Sequence, residues 1–421
     1  MLFNRTNLSR RTPFFYGWVV FAIASTLSLV RPVMAVATLS VFVVPMTSHF
    51  GWSRGSFSAA VSAGGLAGAI IAPYSGRLLD RYGSGHVLAI GSFVTGLCAI
   101  GLSLVTGPIS FALAYIIGRM TYVGPMELAP STAVSNWFVR KRALAMAFMQ
   151  ASQGIGLGLM PFIAQLAIAN WGWRSSWQML GIIILTAGIL PPLLFMLRRP
   201  EDVGLSPDGD ANRSGNIPDQ ARQDPFKYDF TLRQAVKTKT MWMLMAFSAL
   251  MFMVQAGVSL HQAPYHIHQG MGATQAATIV TVFAFSSAIG GLFWSALIVK
   301  VPLRLVITTA AFTQFSGVIA IMNSHGSMSG YIAALIFGMG LGGVAALIRL
   351  IWAEYYGRRH LGVIRGVALP AQITGQAMGP ILAGVFFDFT GNYMTAWTMF
   401  AVSAAIGTLL ISLSKPPRLI P

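Results

Sequence analysis

Acidic side chains are nearly missing from this chain: it has 11 Asp and Glu in 421 residues, against 28 Lys and Arg. Seven of the 11, Glu201, Asp202, Asp208, Asp210, Asp219, Asp224 and Asp229, fall in one polar stretch from Arg198 to Lys239. Charge of either sign is also scarce, at 9% of residues, which is too little to coat a soluble globule. With 55% hydrophobic residues and a mean hydropathy of +0.66, the composition is that of an integral membrane protein. The sequence contains no Walker loop, no nucleophile elbow and no hydrolase-like carboxylate pair, so ATP-driven pumping and enzymatic hydrolysis are not expected. The single cysteine, Cys98, lies in an apolar run, cannot form an internal disulfide, and reads as a small core residue. His261, Tyr265, His266 and His268 crowd together, yet no carboxylate or cysteine accompanies them, so neither metal nor cofactor is expected.

What the chain has in quantity is long apolar runs. Breakers divide them into twelve spans, about residues 16–45, 55–75, 86–106, 109–136, 143–169 and 176–197, then 240–265, 273–299, 303–323, 328–353, 362–387 and 393–413. The expected fold is all-α and membrane-embedded, with a six-helix half over 1–197, a polar linker over 198–239 and a second six-helix half over 240–421. The net charge of +17 follows this layout, because Lys and Arg gather at both termini and in alternate loops. That pattern puts both termini on the cytoplasmic side and removes the case for nucleic-acid binding. Arg5, Arg10 and Arg11 precede an apolar stretch too long for a signal-peptide core, so it is expected to stay as the first helix.

The halves echo each other. Trp137 and a basic run precede a Gly-rich helix with Pro161 and then Trp177; Tyr355 and Tyr356 and a second basic run precede one with Pro380 and then Trp397. The two prolines lie 219 residues apart and the two tryptophans 220, as expected of a transporter built from parallel repeats.

Between the second and third spans stands Gly76-Arg77-Leu78-Leu79-Asp80-Arg81-Tyr82-Gly83, a charged turn with glycine at both ends. Its Gly-x-x-x-Asp-Arg-x-Gly pattern resembles the signature between helices 2 and 3 of the major facilitator superfamily, although Ser84, Gly85 and His86 replace the usual basic continuation. Phe14 to Val20, Phe50-Gly51-Trp52-Ser53-Arg54, Asn136-Trp137-Phe138 and Val258 to Pro264 are similar to the monocarboxylate and oxalate:formate branch. The resemblance covers essentially the whole chain. It implies a major facilitator fold, with Gly76, Asp80, Arg81 and Gly83 in gating and the first, fourth, seventh and tenth spans lining a cavity.

Outside the linker only Asp80, Glu127, Glu354 and Asp388 carry negative charge. Glu354 and Asp388 read as solvated or capping groups near span ends. Arg31 sits midway along the first span, directly before Pro32. A guanidinium there suits capture of a carboxylate, the alternative being a bond to carbonyls freed at the proline. Arg119 resembles the arginine of the superfamily's fourth-span signature. It is expected either to orient solute and couple to a proton on Glu127, eight residues on, or to fix the packing of that span. The family's substrate cation in span 8 or 11 is not matched: span 8 has none, and Arg349 and Arg365 lie towards span ends. Gln153, Gln255, Gln372 and Gln376 offer amides instead, His261 joins them, and Tyr122, Trp242, Phe252, Tyr265 and Trp294 offer stacking faces.

The sequence therefore reads as a secondary transporter of the bacterial inner membrane, monomeric, with a proton as candidate coupling ion, moving a small organic anion such as a monocarboxylate. A neutral heterocyclic nutrient such as riboflavin is the alternative that the glutamines leave open. A non-transporting membrane sensor is a third reading, for which the linker is too short and polar to supply a signalling domain.

Overall fold

The computed structural model describes residues 12–138, 141–206, 208, 230–357 and 361–417, with the backbone alone at 69, 72, 73, 76, 77, 80, 142, 143, 147 and 361–363. Among these residues the chain is all helix and turn, without a strand. Eight stretches are long and apolar enough to cross a membrane. In such a solvent the backbone must satisfy its own hydrogen bonds, which leaves helices as the open-ended solution.

The first span shows how sequence shapes a helix here. α1 (Gly17–Val30) gives way to a 3-10 turn over Arg31–Met34, and α2 (Val36–Phe50) resumes the direction. Pro32 has no N–H to give, and Ala35 turns extended. The Pro32 carbonyl is taken up locally by the Ala35 N–H at 2.8 Å and the Thr38 hydroxyl at 2.7 Å. This break therefore costs little and puts Arg31 in a bend.

α3 (Arg54–Ser103) and α6 (Arg142–Gly188) are each two limbs joined at a glycine with positive φ, Gly83 at +77° and Gly172 at +81°. Only glycine adopts that conformation at no steric cost. The fourth span is α4 (Pro108–Val123) and α5 (Pro125–Trp137), parted at Gly124, whose φ and ψ are −88° and −99°. α7 (Leu190–Phe195) closes the first half, and a short helix α8 (Leu232–Val236) opens the second. Six long helices follow: α9 (Lys239–His268), α10 (Ala273–Leu297), α11 (Leu303–Met322), α12 (Ser327–Tyr356), α13 (Leu361–Thr390) and α14 (Met394–Leu413).

The 219-residue repeat runs through this list. α10 begins 219 residues after α3, α12 after α4, and α13 after α6. Even the caps match: the Gly107 N–H donates to Ser110 Oγ at 3.2 Å, and the Gly326 N–H donates to Ser329 Oγ at 3.1 Å. Two pseudo-equivalent six-helix bundles result, as the pattern of breakers predicted.

The chain separates into two compact units, Met1–Trp52 with Ala63–Ser214, and Ser53–Ser62 with Gly215–Pro421. The first has a core around Tyr16, Leu27, Leu88, Met126, Trp137 and Ile184. The second is built on Met241, Phe247, Phe337, Ile351, Trp397 and Phe400. Most of the acidic linker lies outside the described residues. Its two ends are packed: Val203 is buried in the first unit, while in the second Phe230 meets Tyr356 edge-on at 5.4 Å. Asp388 caps the start of α3, accepting from the Arg54 N–H at 2.9 Å and the Gly55 N–H at 2.7 Å. Tyr393, in the turn before α14, accepts a hydrogen bond from Arg54, and burial holds its phenol above the ordinary tyrosine range.

Candidate functional site

The first unit gathers the charges. The 3-10 turn of the first span holds Arg31 2% exposed, next to the start of α5. Its Nη1 donates to the Met126 carbonyl at 3.1 Å and pairs with Glu127 Oε2 at 2.5 Å. Glu127 itself is 46% exposed, so a buried cation is matched to a partly exposed anion. Both remaining nitrogens of Arg31, Nε and Nη2, are buried without a partner. These two form one edge of the guanidinium, the geometry that grips a carboxylate in two parallel hydrogen bonds.

Arg119, from α4, stands on the same aromatic ring. Its Cζ lies 4.7 Å from the centroid of Tyr122, and Arg31 Cζ is also 4.7 Å from that centroid. The Arg119 Nη1 donates to the Met34 carbonyl at 3.1 Å, leaving Nε buried and unbonded. The stem of Arg119 fits because Gly64 faces it, where a Cβ would come within 2.9 Å of Arg119 Cβ. Tyr115, one turn earlier, is fully buried, with its hydroxyl unpartnered. The site therefore holds two guanidiniums, one carboxylate and at least four unspent donors. Buried donors left unmade cost about 1–3 kcal/mol each.

Glu127, expected to act with Arg119 in proton coupling or in packing the fourth span, forms its ion pair with Arg31; the break at Gly124 and Pro125 interrupts the helical phase between residues 119 and 127. Arg31 is not bonded to the carbonyls freed at its own proline; its acceptor is on α5. Tyr115 was not legible as a site residue, although its spacing of four and seven from Arg119 and Tyr122 is the available signal.

The amides of the second unit behave differently. Gln376 Nε2 donates to Gln255 Oε1 at 3.1 Å, and Gln255 Nε2 donates to Ser259 Oγ at 3.3 Å. His261 is fully buried. Its Nε2 lies 3.1 Å from the Pro380 carbonyl and 3.1 Å from Ser58 Oγ, and its Nδ1 is 3.1 Å from the Tyr393 hydroxyl. A proton on Nε2 donates to Pro380, and Nδ1 accepts from Tyr393. Tyr265 and Trp294 spend their polar atoms on the Ile321 and Met339 carbonyls. Gln153, on α6, is half-buried and makes no hydrogen bond among the described residues, as is true of Gln372 on α13. Of the gating set, Gly83 is the hinge of α3 and Arg81 lies over the exposed Tyr82 ring at 5.3 Å. Gly76 and Asp80 lie outside the described side chains. Among the described residues no three His, Cys, Asp or Glu converge as metal ligands.

A profile described as Major Facilitator Superfamily matches residues 20–372. The chain belongs to the Major Facilitator Superfamily. This facilitator is 24% identical over 367 residues to human "Monocarboxylate transporter 2", covering 82% of this chain and 73% of the relative. It is 22% identical over 397 residues to the "Uncharacterized MFS-type transporter YcxA" of Bacillus subtilis, covering 90% and 89%. Among solved structures it is similar to the nucleoside transporter NupG, at a TM-score of 0.71 and 14% identity over 94% of this chain and 98% of that one. A bacterial homologue of the lysosomal transporter Spinster superposes with a TM-score of 0.65 at 14% identity over 95% of each chain. Those structural likenesses carry the fold, and the family carries a role in transport rather than enzymology.

Proposed function

We propose that this facilitator moves a small organic monoanion, of the monocarboxylate type, by alternating access, with Arg31 and Arg119 as its binding groups. The observation that carries the reading is the unspent Nε and Nη2 edge of the buried Arg31. Two guanidiniums against one carboxylate leave the site one negative charge short, and a single carboxylate both supplies it and fills the free edge. The likeness to monocarboxylate transporters supports the same class. Gln255 and Gln376 are partly spent on each other, which leaves Gln153 and Gln372 as the amides open to a neutral heterocycle.

Glu127 is the proposed proton-coupling group. It shares Arg31 with the solute and is not buried, so protonating it strengthens the demand of Arg31 for an external anion. The basic termini and loops support placement in a bacterial inner membrane with both termini cytoplasmic.

Ligand-induced stabilisation of the purified protein tests this reading, since a ligand raises the melting temperature as its concentration exceeds its dissociation constant. Monocarboxylates are expected to stabilise the parent and not Arg31→Ala. Stabilisation of both by riboflavin, with none by any acid, would overturn it. In proteoliposomes, Glu127→Gln is expected to transport with no response to an imposed proton gradient; an unchanged response would sink the coupling role.

A further inference from the structure

Five cations gather at one end of the second unit, where α9 and α11 begin and α12 and α14 finish. Two consecutive tyrosines at the end of α12 bring them together. The Tyr355 hydroxyl donates to the Ser414 carbonyl at 2.9 Å, which holds the chain leaving α14 with Lys415 beside that bond. The hydroxyls of Tyr356 and Thr238 lie 2.9 Å apart and fix the elbow between α8 and α9, where Lys237 and Lys239 flank Thr238. The Thr240 hydroxyl closes the junction by donating to the Lys415 carbonyl at 2.9 Å. Arg233 on α8 is exposed, as are the three lysines, and Arg304 at the start of α11 is within electrostatic reach of Tyr355. One carboxylate, Glu354, shares that reach, and among the described residues none of the five cations forms an ion pair. The junction is built from hydroxyls and carbonyls, so the charged groups themselves are left over.

Beside these charges the surface turns apolar. Trp242, at the start of α9, is exposed, and its indole N–H donates to the Val236 carbonyl at 2.9 Å, which holds it at the elbow. On α14, Val402, Ile406, Leu409 and Leu413 are all exposed, and their spacing of four, three and four puts them on one face that ends next to Lys415. A tryptophan pinned among lysines, and an aliphatic face running away from them, have the two-part chemistry of a lipid molecule: a charged head and apolar tails.

We propose that this end of the second unit binds an anionic glycerophospholipid, with its headgroup phosphate among Lys237, Lys239 and Lys415 and its acyl chains along the exposed face of α14. Cations in excess of acids attract a headgroup of net negative charge, whereas a zwitterionic headgroup brings a cation of its own. A free phosphate would engage the lysines and leave the α14 face without a role, so the two features together favour the lipid.

The test is native mass spectrometry of the purified full-length protein in detergent, with equal amounts of dioleoyl phosphatidylglycerol and dioleoyl phosphatidylcholine. The parent is expected to retain phosphatidylglycerol about tenfold or more over phosphatidylcholine. Each of Lys237→Gln, Lys239→Gln and Lys415→Gln should weaken phosphatidylglycerol about fivefold, and the triple substitution should abolish the preference. Lys141→Gln, which removes a lysine from beside Trp18 in the first unit, should bind like the parent. The proposal is overturned if the parent shows no preference or if the triple variant keeps it. It is equally overturned if Lys141→Gln loses as much as the triple variant, since net charge and not this junction would then be responsible. Excess glycerol phosphate should leave the lipid adducts in place; if it displaces them, the lysines bind a free phosphate and the lipid assignment falls. Melting curves in lipid-free detergent separate lost binding from lost folding.

Discussion

The two halves share a backbone plan and divide the polar work. In the sequence of the second half Gly338 stands in place of Arg119, Ala346 in place of Glu127, and the apolar pair Leu250 and Met251 at the place of Arg31. The first unit keeps buried charges whose hydrogen bonds are unfinished; in the second, the amides of Gln255 and Gln376 are bonded to each other. Backbone repetition therefore fixes where helices start and break, and leaves each half free to place its own chemistry. The fourth span illustrates this: α4 and α5 part at Gly124, whereas α12 runs unbroken over the equivalent stretch. The break brings Glu127 to Arg31, and the unbroken helix packs tightly instead.

Arg31→Ala should break the contrast most severely. Truncating one member of a buried, hydrogen-bonded charge pair costs about 2–5 kcal/mol, so monocarboxylate uptake in proteoliposomes should fall by about two orders of magnitude or more. Uptake within threefold of the parent would remove the distinction between the halves. Gly338→Ala probes the counterpart of Arg119. A Cβ there would run into Ser286 Oγ and stand 2.5 Å from the Phe283 carbonyl oxygen. Overpacking of this kind costs about 1–3 kcal/mol, read as a lower melting temperature with solute affinity unchanged in the fraction that folds.

Arg119→Lys keeps the charge and loses the planar fork. Affinity should drop about tenfold while the melting temperature holds, and a lysine that binds equally well would reduce Arg119 to a point charge. The smallest effect belongs to the amides. Gln255→Leu or Gln376→Leu strands the other amide and should lower stability by about 1 kcal/mol, whereas the double substitution should sit closer to the parent than either single one. A double variant as damaged as the sum of the singles would mean that the amides serve something other than each other.

Fold was legible because membrane spans announce themselves. Apolar length, glycine and proline breaks, and the 219-residue echo each derive from backbone physics that acts locally. Arg31 was legible for a related reason, since a charge beside a proline in mid-span has few bland explanations. The partner of Glu127 was not. Helical phase is a local rule, and Gly124 with Pro125 resets it, so counting along the fourth span could not show that Glu127 meets Arg31. His261 illustrates a second limit. Sequence placed it in a histidine cluster near the end of a span, but what it touches, Ser58, Pro380 and Tyr393, comes from segments up to 203 residues away. The glutamines were legible as hydrogen-bonding groups, but not that Gln376 would spend its amide on Gln255.

The cap on α3 also bears on how the chain is made. Arg54 and Gly55 emerge early in synthesis, while Asp388, which accepts their N–H groups, follows 334 and 333 residues later. Until residue 388 has been made, that helix start relies on Ser53, whose hydroxyl accepts from the Ser56 N–H at 3.1 Å. A chain ending before residue 388 would keep that local cap and lack the carboxylate, so this helix start gains its full set of acceptors only late in synthesis.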